Sequence, residues 1–352
     1  MFEHAMNLLK ESCARHDFPC AAVAVGCKDQ LLFQDFFGNR EENPEVLPLK
    51  EDTLFDMASL SKIIGTTMLA FRFIEQGKLG LYDEVGMFFE NAYDKGGITI
   101  KQLMTHCSGL HPSLHLWELA KTPELAADAI LKSEFTYETG TQVSYSCMGY
   151  ILLAKILEKI GGAPLDVLVQ REVFDPLGMK TACYNPKTDN VAATEYSEFH
   201  GGWTIGEVHD ENACFLNGVS GNAGVFASVQ DMVRLASMLS NGGVIDGKRY
   251  LSRRILELAT KNYTPGMGEA RGLGFQLKDN CYSAGGDLLS DGSFGHTGFT
   301  GTSMYIDRET GLYVILLTNA VHYGREDRDG FFRTRRLFYN GVLGEYFSKE
   351  QN

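Results

Sequence analysis

Several classes of protein are excluded by what this sequence lacks. No run of 18 apolar residues occurs in its 352 positions, so no transmembrane helix is expected. The first residues, MFEHAMNLLKESCARHDFP, carry Glu3 and Glu11 and no unbroken apolar stretch. They do not read as a secretory signal, and a cytoplasmic location is the expectation. Lys and Arg are outnumbered, 32 against 45 acidic residues, for a formal charge of −13. A nucleic-acid surface or a contact with an anionic membrane needs concentrated positive charge, so neither partner is expected. None of the eight cysteines forms a C-x-x-C pair; scattered over a long chain, they suit buried reduced thiols better than a disulfide framework. There is no P-loop and no dinucleotide fingerprint, hence no expected cofactor. There is no G-x-S-x-G either, which disfavours an α/β-hydrolase.

What is present is ordinary for a globular protein, with 44% hydrophobic and 22% charged residues. At ~150 residues per domain the length suggests about two lobes. That N-terminal stretch patterns as an amphipathic helix with Phe2, Met6, Leu9 and Cys13 near one face. Two strands follow, at about 20–27 and 30–38, joined as a hairpin through Lys28 and Asp29. Residues 60–76 repeat apolar positions at helical spacing and stop at Gly77. The middle is helix-rich, at 123–132, 143–160 and 164–174, and Gly161-Gly162 is a terminator. Residues 181–228 are polar and Gly-rich and read as a long, functional loop region. Helices are expected at 229–239 and 252–260. Strands are expected at 272–278, 293–296, 302–307 and 312–318, with a last helix at about 330–347. Strands at both ends joined by tight turns favour one antiparallel sheet. The fold class is therefore α/β (α+β): a sheet of N- and C-terminal strands, flanked by the terminal helices. An inserted, mostly helical lobe occupies 77–254, the sheet lobe comprises 1–76 and 255–352, and the active site lies between them.

Three segments can carry chemistry. Ser59 and Lys62, in Met57-Ala58-Ser59-Leu60-Ser61-Lys62, share one helix face at i, i+3. Ser59 suits an N-cap equally well. The alternative is a nucleophile, which needs a neighbouring base; a lysine desolvated among apolar residues has its pKa lowered towards that use. Tyr145 opens a helix in Gln142–Tyr150. It either packs there or, with a cation such as Lys62 close by, reaches its phenolate form. His296-Thr297-Gly298, in Ser293–Gly301, has four glycines nearby, as a strand edge approached closely would; small residues chosen for strand packing give the same pattern. His106, Cys107, His111 and His115 are too irregularly spaced for a zinc site, so no metal is expected. His209–Ala213 either lines a cleft or caps a turn, and Arg325–Arg336 alternates charge as a solvated helix face does.

In their order along the chain these segments resemble the serine β-lactamase and penicillin-binding-protein superfamily, and within it the class C β-lactamase, D,D-peptidase and D-aminopeptidase branch. The resemblance covers about residues 15 to 345. Thr105–Leu110, Gly140–Tyr150 and Gly218–Asp231 also match stretches of that family. It implies an acyl-enzyme on Ser59, with Lys62 helping to deprotonate it. Tyr145 would be the acylation base and then the proton donor to the leaving group. The backbone N–H groups of Ser59 and Phe299 would form an oxyanion hole, typically worth ~3 kcal/mol per donor. His296, with Thr297 and Gly298, would line the cleft and help bind a substrate carboxylate. One position departs from the pattern. Cys147 stands where the family's Tyr-x-Asn motif has an amide, and a thiol is a weak donor and acceptor. Asp210 or Asn212 could take over that role.

The expected substrate is a small amide, β-lactam or ester, cleaved by a D-peptidase or weak β-lactamase. A carboxylesterase is the alternative, since an ester needs less positioning of its leaving group. A slowly deacylating penicillin-binding or sensor module is a third reading. The sequence leaves the oligomeric state open.

Overall fold

The structure is a computed structural model and describes residues 1–279 and 282–350. Helix α1 (Glu3–Ala14) leads into β1 (Cys20–Cys27), β2 (Gln30–Glu41) and the short β3 (Leu47–Pro48). Late in the chain come β4 (Gln276–Leu277), β5 (Phe294–Thr297), β6 (Ser303–Ile306) and β7 (Leu312–Thr318). They form one seven-stranded antiparallel sheet, in the order β4-β5-β6-β7-β1-β2-β3. The N- and C-terminal strands thus meet at the β1–β7 seam, where Ala24 pairs with Ile315.

Both faces of that seam are covered, and successive side chains go to opposite faces. Ala21, Val23 and Val25, with Val314 and Leu316, pack against Phe2, Met6 and Leu9 of α1 and Phe338 and Val342 of the C-terminal helix. Cys20, Ala22 and Ala24, with Ile315 and Leu317, join the main core around Met57, Leu60 and Ile63. Each fully buried aliphatic side chain contributes about 1.5–3 kcal/mol relative to exposure. On α1 the buried face is Ala5, Met6, Leu9 and Ser12, with Cys13 at its margin.

The stretch expected as one helix over 60–76 has three parts. Ala58–Leu60 is a 3-10 turn, Lys62–Thr67 a wider π-helical stretch, and Met68–Glu75 forms α2. The π form is found most often at functional positions. Gly77, at φ +68°, ends the run as expected. Helix α3 (Cys147–Gly161) starts four residues later than the sequence suggested, because Ser146 caps it by accepting from the Gly149 N–H at 3.2 Å. Tyr145 therefore lies outside the helix, two residues before its first turn. Helix α4 (Val229–Ser240) falls within the span 77–254 yet packs on β1 and β7. Helix α5 (Asp329–Glu350) closes the chain against α1.

Residues 181–228 are not one loop. Val225–Ala227 pairs with Phe55–Asp56 on one side and Cys183–Tyr184 on the other in a second, three-stranded sheet, and Glu211–Phe215 is a short helix. Leu54, Val191, Val208, Ala213, Ala223 and Phe226 form their own small core. They are spaced too thinly to show a period. The seven described cysteines are free thiols, but only Cys20 and Cys107 are buried; Cys281 lies outside the described residues. Among the described residues no helix is long and apolar enough to cross a membrane.

The 57–61 turn is clamped to the end of β5. Thr300 Oγ1 donates to Asp56 O at 2.8 Å and Thr302 Oγ1 to Met57 O at 3.2 Å. Gly298 makes the approach possible: a Cβ there would sit 2.5 Å from Met57 O and closer still to Thr302 Oγ1. Gly298→Ala should therefore push the two segments apart. It is expected to lower stability by about 1–3 kcal/mol, read as a fall in Tm. An unchanged Tm would show that the contact is not tight.

Candidate active site

Ser59 sits at the bottom of a cleft of about 380 Å³, lined also by Tyr145, His296, Thr297, Gly298 and Phe299. Ala58, just before it, has φ +44°, a conformation that costs a non-glycine residue of order 1–3 kcal/mol and is typical of functional turns. The buried Asp56 holds it there. Its Oδ1 accepts from the Ala58 N–H and its Oδ2 from the His209 N–H, each at 2.7 Å.

Lys62 is fully buried. Its Nζ donates to Ser59 Oγ at 3.0 Å and to Asn222 O at 3.0 Å, and lies 3.6 Å from Cys147 Sγ. It also stands 4.8 Å from the centre of the Tyr145 ring. Burial alone would lower its pKa, as the sequence argument expects. The negative charge that Cys147 and Tyr145 carry when ionised acts the other way and sets the net direction above the ordinary lysine value. Nζ faces three acceptors, Ser59 Oγ, Asn222 O and Cys147 Sγ, as an ammonium does.

The Tyr145 hydroxyl is sealed in without a hydrogen-bond partner of good geometry. Burial pushes its pKa up, and the neighbouring Lys62 cation offsets only part of that. The His106 ring lies against the Tyr145 ring, tilted by 37°, at 4.4 Å between centroids. Its Nδ1 accepts from the Ser146 N–H at 3.1 Å, so its proton sits on Nε2. His296 has the opposite tautomer, because Nδ1 faces the Thr297 carbonyl at 2.8 Å and must donate to it. Its Nε2 is left as a buried, unpartnered acceptor. Burial, reinforced by Arg271 and Lys62, pushes His296 down to about 3 and His106 well below its ordinary value.

Cys147 opens α3 with its thiol against Lys62, and burial raises its pKa. Asp210 and Asn212 have other work. Asp210 caps the 211–215 helix, and Asn212 Oδ1 accepts from the Leu116 N–H at 2.9 Å. The amide beside Cys147 belongs instead to Asn222. It is 1% exposed, with Oδ1 fixed by Ser220 Oγ at 2.6 Å and Nδ2 buried without a partner. Asn222 lies in the Gly-rich 218–231 stretch, where glycine content was the visible signal and the amide was passed over. Arg271 was missed as well; its guanidinium lies 5.3 Å from the Tyr145 ring centre.

His106, His111 and His115 do not converge on a metal. His106 lies against Tyr145 as described, His111 Nδ1 accepts from the Ser113 N–H, and His115 pairs with Glu118. His200, Glu207 and Cys214 do bring ligand atoms within 4.8 Å of one another. Both His200 nitrogens there are engaged, by Ser197 Oγ and Val208 O.

The family model described as Beta-lactamase matches residues 4–337. An N-acetylmuramyl-L-alanine amidase of Bacillus subtilis (strain 168) is 31% identical over 347 residues, covering 87% of this chain and 78% of that protein. A putative D-alanyl-D-alanine carboxypeptidase of Escherichia coli (strain K12) is 28% identical over 350 residues, covering 87% and 79%. Among solved structures, EstCE1, a hydrolase with promiscuous acyltransferase activity, superposes with a TM-score of 0.78 at 21% identity over 97% of both chains. The octameric penicillin-binding protein homologue from Pyrococcus abyssi gives 0.75 at 20% identity, over 97% of this chain and 77% of that one. At those identities the two structures speak to the fold.

The histidines give a direct check. With folded pKa values below the ordinary ~6.5, His296 and His106 should stay neutral across about pH 5 to 8. Their ring C–H resonances, assigned through His296→Gln and His106→Gln, should not move over that range. Titration of either near pH 6.5 would contradict the geometry. The sign for stability follows: both contributions are full above the unfolded value and fall away as pH drops below it.

Proposed function

The chain belongs to the beta-lactamase family of hydrolases, and on that premise we propose that it cleaves an amide or D-peptide bond through an acyl intermediate on Ser59. The observation that carries this reading is the buried Lys62 Nζ, 3.0 Å from Ser59 Oγ and beside the Tyr145 ring. The printed names of the two relatives, an amidase and a putative D-alanyl-D-alanine carboxypeptidase, support an amide substrate.

The reaction is read as follows. At neutral pH the resting site holds Lys62 as ammonium and Tyr145 as phenol, and neither is a base. The working form has lost one proton, which the two groups share. In it Ser59 Oγ attacks the substrate carbonyl and its proton passes to Tyr145. The oxyanion is taken by the Ser59 and Phe299 N–H groups. Tyr145 then returns the proton to the leaving nitrogen as the C–N bond breaks. Water attacks the acyl-Ser59 ester by the same route, giving up a proton to Tyr145, which passes it to Ser59 Oγ as the acyl C–O bond breaks and the acid product leaves. His296 is neutral throughout and serves as a hydrogen-bonding group on the cleft wall beside Thr297 and Gly298.

A second reading, a carboxylesterase, is favoured by Cys147. A thiol cannot orient a substrate amide as a carboxamide does, and an ester needs that orientation less.

Four measurements test these readings. Intact-protein mass after mixing with a reporter penicillin should show a penicilloyl gain on wild type and none on Ser59→Ala. Hydrolysis of D-alanine p-nitroanilide should fall by roughly 10³-fold or more in Ser59→Ala. Full activity in that variant would end the proposal, and a stable adduct without turnover would convert it to a penicillin-binding module. The value of kcat/KM should rise from about pH 7 towards 10, as the shared proton is lost, with no step near 6.5; a bell centred near 6.5 would put a histidine in the base's place. Cys147→Asn should raise turnover of the anilide relative to p-nitrophenyl acetate, and an unchanged ratio would remove Cys147 from substrate selection.

A further inference from the structure

Among the described residues outside the Ser59 cleft, one cluster brings three different metal-binding side chains together. His200, Glu207 and Cys214 each place a ligand atom within 4.8 Å of the others, and none of the three lines the cleft. They come from separate pieces of chain. His200 sits in the turn between the paired segments Tyr196–Ser197 and Gly202–Trp203. Glu207 follows in a loop, and Cys214 is carried by the short helix Glu211–Phe215. Cys214 Sγ lies 3.1 Å from Glu207 Oε1. Neighbouring ligands on one tetrahedral cation stand about 3–4 Å apart, so these two atoms already have that spacing.

The surroundings hold the ligands in place. Asp210 Oδ1 accepts from the Ala213 N–H at 2.8 Å and Asp210 O from the Cys214 N–H at 2.9 Å, which fixes the short helix. The His200 ring is gripped at both nitrogens, by Ser197 Oγ at 3.1 Å on Nδ1 and by Val208 O at 3.0 Å on Nε2. A metal needs only one of them. With Nε2 on the metal, Nδ1–H donates to Ser197 Oγ; with Nδ1 on the metal, Nε2–H keeps Val208 O. Either way the second nitrogen fixes the ring, as metal-bound histidines are commonly held. His200 and Cys214 are half-buried and Glu207 is exposed, so an ion can enter from solvent.

The local charge favours a cation. Glu207, Glu211 and Asp210 all direct negative charge at the Cys214 thiol. Of these three acids only Glu211 has a cationic partner among the described residues, Arg325. A thiolate, a carboxylate and a neutral imidazole together carry two negative charges, which a divalent cation neutralises.

We propose that His200, Glu207 and Cys214 bind a borderline-soft divalent cation of the zinc type, with solvent completing its coordination. Thiolate, imidazole and carboxylate are zinc ligands, and a thiolate does not suit calcium or magnesium. Binding exchanges a proton for the metal: the S–H proton passes to water as the S–metal bond forms, and nothing is oxidised or reduced. The metal links the 196–203 segment to the 211–215 helix. Between them lies His209, whose N–H donates to Asp56, the residue that fixes Ala58. The site therefore braces the Ser59 turn from outside the cleft, and it does not depend on the reaction proposed for Ser59.

The test uses the full-length protein, reduced, stripped with a chelator and titrated with Co(II) as a spectroscopic stand-in for zinc. Wild type should take up one equivalent with a thiolate-to-cobalt charge-transfer band in the near ultraviolet. Zn(II) should abolish the band by displacing cobalt, and Mg(II) should not. Cys214→Ser should lose the band, and His200→Gln and Glu207→Gln should each weaken cobalt binding by about tenfold or more. No band in wild type would overturn the proposal. A band that persists in Cys214→Ser would also overturn it, placing the metal on another cysteine. Affinity unchanged in both His200→Gln and Glu207→Gln would do the same, leaving a thiol that binds metal alone. A measurement on wild type alone covers a variant that fails to fold. X-ray absorption of the zinc-loaded protein should show one sulfur at about 2.3 Å beside nitrogen and oxygen ligands at about 2.0–2.2 Å, and a zinc shell without sulfur would contradict the site.

Discussion

The site depends on one buried ammonium. Lys62 has no exposed surface, and a charge in that position holds only if its hydrogens are taken up. Ser59 Oγ and Asn222 O accept two of them, and Cys147 Sγ and the faces of Tyr145 and Tyr150 supply the rest of its surroundings. Those partners come from three separate parts of the chain. The ammonium thus draws the 59–62 turn, the entry to α3 and the Gly-rich 218–231 stretch to one point. The backbone supports the same convergence: Met57 N–H donates to Val225 O at 2.9 Å and Thr66 Oγ1 to Gly221 O at 2.8 Å.

Around that charge the protein separates two electrostatic tasks. On the Ser59 side lie neutral or weakly acidic groups, Tyr145, Cys147, His106 and His296, all kept from ionising near neutral pH by burial. On the open side lie the guanidiniums of Arg271, Arg328 and Arg335, which cannot lose their protons. Arg271 works in both, lowering the pKa of both His106 and His296 while facing the cleft.

Much of this was legible in the sequence, for definable reasons. The i, i+3 spacing of Ser59 and Lys62 is a local fact, and the 3.0 Å contact follows from one helical turn. A sheet of N- and C-terminal strands was legible because β1 and β7 are almost wholly apolar and buried, while the two-residue β3 gave no signal. The sign of the Lys62 shift was not, since the groups that set it are distant in sequence, Cys147 being 85 residues away. Asn222 was hidden by the glycines around it. Arg328 and Arg335, both buried on the wall of the Ser59 cleft, were hidden for a different reason: alternating charge looks the same there and on a solvated face. The small core of residues 181–228 escaped because its six apolar members come from short strands and turns with no common period.

The central claim is that Lys62 and Tyr145 share a buried site in which the ammonium restrains a phenol otherwise raised by burial. Ultraviolet difference titration of the phenol isolates that coupling, with Tyr145→Phe subtracted from wild type and the same substitution subtracted within Lys62→Met. The account predicts that Tyr145 ionises above the ordinary value of ~10 in wild type, and higher still once the lysine charge is gone. A phenol that ionises at or below ~10, or that does not move when Lys62 is removed, would contradict it.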